Sequence, residues 1–166
     1  MTYQGIHFAL DADQEARLLG AEGDDDALLD VIADIEEAWD KNWLAESDTA
    51  WDAIHRCFCN GELLYEGGEY PLNHLICGGR QLVAWEETEY TVSYVSAAQV
   101  KEIAIAARRI SRDSLHERYD EIDRESYGSE LSDEDFAYVW TLFSNVVNLF
   151  ERAAAANRAV IFTVDA

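Results

Sequence analysis

The chain opens on an alternation: Ile6, Phe8 and Leu10 are apolar at every second position, with His7 and Ala9 between them. A period of two predicts a strand. The period then changes. Asp11 and Gln14 have the spacing of a capping box, which predicts a short helix through Leu19, with Gly20 and Gly23 ending it. Leu28, Ile32, Ile35 and Trp39 form the apolar stripe of a second helix, and Asp26, Asp30, Asp34 and Glu37 lie on its other side. Asp24, Asp25 and Asp26 crowd its first turn, where negative charge complements the helix dipole. A third helix is expected to begin near Ser47 or Asp48 and to carry Trp51, Ile54, His55 and Phe58.

The middle of the chain is punctuated by turns. Residues from Asn60 to Tyr70 are rich in glycine and acids. Pro71 suits the first position of a short helix through Cys77, which Gly78 and Gly79 terminate. Gln81–Trp85 and Tyr90–Val95 are strand-like, and Ser96 with Gln99 makes a second capping box. Behind it, Val100, Ile103, Ala107 and Ile110 form an inner helical face. Asp113 to Glu134 is charged and weakly periodic, predicting a short helix and a loop. Ser132 then caps the longest helix, in which Phe136, Trp140, Phe143, Val147, Phe150 and Ala154 hold helical spacing. Asn157 is the expected C-cap, and Ala159 to Val164 the final strand. The pattern predicts an α+β fold: helix-rich, with a small mixed sheet, helices packed on it, and a long C-terminal helix before the last strand.

Composition supports one domain over residues 1–166. The chain has 166 residues, 49% of them hydrophobic, with 5 Trp, 8 Tyr and 6 Phe to fill a core. A chain of that length folds without disulfide or metal. Repeats, low-complexity tracts and a convincing linker are missing. Charges interrupt every apolar run, so no membrane span is expected. The N-terminus has neither a basic start nor a small-residue cleavage site, and three cysteines are too few for a disulfide framework. Both features predict a reducing cytoplasm.

Charge narrows the partners. The formal net charge is −22, a surface that repels phosphate backbones and anionic lipid. Nucleic acid and membrane are therefore not expected partners, whereas a basic protein is. The acids are concentrated between Asp11 and Asp52, where only Arg17 and Lys41 oppose them. Two bland causes compete with function: a genome that prefers Arg to Lys, and a salty cytoplasm that rewards surface acids.

Taken in order, several segments resemble the YfbM-like family, bacterial proteins grouped as a domain of unknown function. They are the opening Gly5–Leu19 stretch, Trp51-x-x-Ile54-His55, Pro71-Leu72 leading to Gly78-Gly79, Tyr94-Val95-Ser96 before a helix, and the ending from Phe150 to Val164. The resemblance implies an α+β fold with a small sheet. It implies no catalytic residues.

Candidate chemistry is sparse. His55, Cys59, His74 and Cys77 have the ligand types of a Cys₂His₂ zinc site, with His55 and Cys59 four apart and His74 and Cys77 three apart. Their spacing fits buried cysteines on apolar helices better than a zinc knuckle, so no metal and no cofactor are expected. Cys57, Cys59 and Cys77 fall late in their predicted helices, where the dipole disfavours a thiolate. No phosphate-binding glycine loop, GxSxG elbow or HExxH helix occurs. His7 has an ordinary reading as a packed histidine and His116 as a solvated one. Trp39 and Trp51 suit the core, and Trp43 is a candidate exposed anchor. Three functions compete. The first is a non-enzymatic binding protein, of the immunity type, that captures a basic partner through Asp26, Asp30, Asp34, Glu37 and Trp43. The second is a small hydrolase or metal-dependent enzyme centred on His55 and His74. The third is a ligand-binding accessory protein with an apolar pocket between sheet and long helix.

Overall fold

The computed structural model describes residues 4–64, 67–83 and 90–165. Five strands, β1 (Gly5–Leu10), β2 (Leu44–Asp48), β3 (Arg80–Val83), β4 (Tyr90–Val95) and β5 (Ala159–Asp165), form one sheet in the order β2-β1-β5-β4-β3. The last strand in the chain is therefore the central one. Because β5 runs against both β1 and β4, every described pairing is antiparallel, and the sheet is not mixed as the pattern suggested. The rest of the α+β expectation stands.

Helices cover both faces. α1 (Ala12–Gly20) and α2 (Asp25–Ala38) pack on one side, where Leu18, Leu28, Ile32 and Ile35 meet Phe8, Leu10, Val92 and Ile161. On the other side lie α3 (Trp51–Cys57), α4 (Ala97–Arg108), α5 (Arg112–Asp120) and α6 (Asp133–Ala155). There Phe143, Phe150, Ile103 and Tyr119 meet Val160, Phe162 and Val164. Alternate residues of β5 thus feed two cores, which is why that strand is an unbroken apolar run.

Local chemistry sets the helix starts. Asp11 and Ser96 each make both bonds of a capping box, and Asp24, Ser111 and Ser132 each accept the N3 amide of their helix. α2 stops where Trp39 turns left-handed, at φ 40°. Trp39 is consequently a half-buried cap rather than a core residue.

Three expectations need correction. The segment expected to begin the third helix is the edge strand β2, and α3 starts only at Trp51. The reason is a tertiary bond: the buried Ser47 hydroxyl donates to the Gly5 carbonyl at 3.1 Å, tying that segment to β1. The helix expected from Pro71 to Cys77 is only a 3₁₀ turn at Leu72–His74. Asn157 adopts a left-handed φ of 56° one residue beyond the cap, which is Ala156. Trp85, at the end of a predicted strand, lies outside the described residues.

Candidate functional site

α3 is short and almost wholly buried, lodged between the sheet and the α5–α6 pair; Trp51, Ile54, His55, Arg56 and Cys57 are all interior. Beyond its end, Gly68 (φ +64°) lets the chain press against it, since a Cβ there would fall 1.8 Å from the Phe58 carbonyl oxygen. This close approach gathers Cys59, Gly67 and Asn73: the Cys59 Sγ lies 3.8 Å from the Gly67 carbonyl, which also accepts from Asn73 Nδ2 at 2.9 Å.

His55 is the centre of the cluster, and both its nitrogens are occupied. The Cys77 main-chain N–H donates to Nδ1 at 3.5 Å, so Nδ1 carries no proton. The proton is on Nε2, which donates to the Leu64 carbonyl at 2.5 Å. Burial holds the His55 pKa below its ordinary value. Cys59 Sγ comes within 3.4 Å of Nε2, yet its pKa is pushed up to about 11 by burial. Cys57 is pushed up to about 12 and Cys77 well above its ordinary value, for the same reason. Near neutrality these are thiols, and the neighbouring imidazole has no lone pair to spare for them.

The sequence-level zinc set is not assembled. His74 turns away, donating from Nδ1 to Asn73 Oδ1 over 2.8 Å and meeting the Tyr70 ring edge-on. Among the described residues no group of three or more His, Cys, Asp or Glu is arranged to hold an ion. Beside His55 is instead an apolar cavity of about 200 Å³, walled by Trp51, Leu63, Leu64, Cys77, Thr91 and Val164.

The acidic stripe stands as the helical pattern placed it. Asp26, Asp30, Asp34 and Glu37 are all exposed on α2. Asp34 is engaged, pairing with Arg17 of α1 at 2.8 Å. Trp43 is not an open anchor: it is half-buried in a 3₁₀ turn, and the Arg158 guanidinium carbon lies 3.6 Å from its ring centroid.

Two groups had no reading in the sequence, Arg56 with Asp52 and the tyrosines around Asp135, and His7 had only its reading as a packed histidine. His7 is wholly buried in β1; its Nε2 donates to the Leu75 carbonyl at 2.8 Å, and its Nδ1 has no partner among the described residues. Arg56 is 3% exposed, paired with Asp52 at 2.5 Å and bonded to the Ser126 hydroxyl and carbonyl at 2.7 and 3.1 Å. The i,i+4 spacing of Asp52 and Arg56 was a readable signal; Ser126 was not. Finally, Tyr119 and Tyr127 both donate to Asp135 Oδ2, at 2.6 and 2.9 Å, and burial with that carboxylate raises both phenol pKa values.

An antiparallel sheet sandwiched between helical layers, with its central imidazoles committed to backbone groups, defines a small α+β protein without a metal cluster among its described residues. The chain belongs to the family described as Domain of unknown function (DUF1877), which matches residues 1–163. Its fold is also that of a protein of unknown function, YfbM from Escherichia coli, whose crystal structure superposes with a TM-score of 0.70. That match covers 97% of this chain and 99% of the other at 14% identity, a likeness of fold alone. Among curated proteins no relative matches. No described helix is long and apolar enough to cross a membrane.

Proposed function

We propose that this is a non-enzymatic binding protein that uses the acidic face of α2 to capture a basic protein partner, as an immunity-type inhibitor does. One observation carries the reading: four carboxylates, Asp26, Asp30, Asp34 and Glu37, are exposed along one helix whose opposite face is fixed in the core, with Asp34 also paired to Arg17. A rigid array of like charge on a chain of net charge −22 accelerates encounter with a basic surface and rejects acidic ones. The occupied nitrogens of His55 and the protonated thiols support binding over catalysis at the enzyme candidate's centre.

The test is a quadruple variant, Asp26→Asn, Asp30→Asn, Asp34→Asn and Glu37→Gln, set against a control that neutralises Asp113, Glu117, Asp120 and Glu121 on and beside α5. Captured basic proteins should be fewer and their salt dependence shallower for the α2 variant only. Equal recovery by both variants would show that the stripe merely solvates the helix.

A second reading has its own observation. The apolar cavity beside His55 suits an accessory protein that holds a small uncharged ligand.

A further inference from the structure

On the opposite side of the sheet from α2, a cleft of about 430 Å³ opens between α3, residues 127–129 and the first turns of α6. That volume lies within the range of small-molecule sites. Its walls include the aromatic rings of Trp51, Tyr127 and Tyr138 and the carboxylates of Asp52 and Asp135, and among the described residues no lysine or arginine lines it. We propose that this cleft binds a small organic cation, an alkylguanidinium or alkylammonium.

The hydrogen-bond arrangement selects the sign of the ligand. Tyr127 donates its hydroxyl proton to Asp135 Oδ2, and Tyr138 donates its own to Asp48 Oδ2. With those protons turned to carboxylates, the phenols offer lone pairs and ring faces, both of which attract positive charge. Asp135 Oδ2 is used twice, by Tyr119 and Tyr127, while Oδ1 has no partner and the side chain no basic counterion among the described residues.

The protein already uses this chemistry on the inner side of the same wall. Arg56 pairs with Asp52 and places its guanidinium carbon 5.7 Å from the Tyr127 ring centroid. Arg56 compensates Asp52 and leaves Asp135 as the uncompensated charge of the cleft. An aromatic box with one free carboxylate oxygen matches a planar or tetrahedral nitrogen cation.

The experiment is an NMR titration of the full chain with agmatine in about 0.15 M salt, where exposed surface charge is screened. Saturable shifts are expected at Trp51, Tyr127 and Tyr138, with none from the neutral analogue 1-pentanol. Asp135→Asn should weaken agmatine by about tenfold or more. Tyr138→Leu, which removes a wall without removing charge, should weaken it as well, and it decides the matter if Asp135→Asn unfolds. Asp30→Asn on α2 should leave agmatine binding unchanged, so failure here and failure of the α2 reading are separable. Unsaturable shifts, shifts spread over α2, or equal affinity in the wild type and the deciding variant would overturn the proposal. So would binding of an arginine tripeptide but not of agmatine.

Discussion

His7 enters the core with half of its hydrogen-bonding capacity unmet. Leu75 accepts from Nε2, and around the ring stand Phe150, edge-on at 5.7 Å between centroids, and Phe162, tilted at 4.8 Å. Charging that ring would bring a cation among hydrocarbons, so burial lowers its pKa from 6.5 to about 4, with the Leu75 bond opposing the shift. The sign of the pH effect follows. Below pH 6.5 the unfolded chain takes up a proton that the folded chain refuses, so the stability present above 6.5 is lost as pH falls toward 4. Between pH 7.5 and 5 the expected loss from this group is about 2 kcal/mol. Urea midpoints of the wild type should therefore fall more steeply over that interval than those of His7→Gln, which keeps a donor for Leu75 and has nothing to titrate. Parallel pH profiles would show that the imidazole is hydrated in solution. The alternation around His7 revealed that it packs on a strand. Its bond to a carbonyl 68 residues away was beyond any local pattern.

At the scale of elements, α6 holds the larger core together. Phe136, Val139, Phe143, Val146, Leu149, Phe150 and Ala153 are buried along it, while Trp140, Val147 and Ala154 are partly covered. Phe143 is 1% exposed and stacks near Phe58 and Trp140. Truncating such a ring removes transfer energy and leaves a cavity, so Phe143→Ala is expected to cost about 3–5 kcal/mol in urea denaturation. An unchanged midpoint would mean that the stripe does not face the core. Legibility divided along the same physical line. Helix starts are local events, and Asp11, Ser96 and Ser132 announced them because a cap and its amide are three residues apart. β2 was missed because Leu44–Asp48 has two acids and little apolar content, and only pairing with β1 makes it a strand. The His55 cluster was half legible. The residue types were visible, but the carbonyls and amides that occupy the ring come from Leu64 and Cys77, and backbone partners have no signature in a sequence. The aromatic cleft was invisible for a related reason, since Trp51, Tyr127 and Tyr138 converge only through the packing of α3 on α6.

For the molecule as a whole, charge is the dominant long-range force. Among the described residues only three Arg–carboxylate pairs form, beside one contact of His116 with Asp120, so most of the acidic excess is unopposed. Self-repulsion of this kind weakens the compact state and is screened by salt. The melting temperature should rise between about 0.01 and 0.5 M sodium chloride, because the Debye length shrinks from about 30 Å to a few ångströms. A flat or falling curve in a thermal melt would show that the charges are compensated locally. The placement of β5 has a consequence of another kind. A ribosome delivers β1 and β2 early and β3 and β4 midway, but the strand that joins the two pairs emerges only after α6. Until then each half-sheet shows an open edge, and of the pairings that close the sheet, those of β5 with β1 span nearly the entire chain. Synthesis interrupted between Val95 and Ala159 leaves two unjoined strand pairs, a substrate for chaperones and proteases rather than a smaller version of the protein.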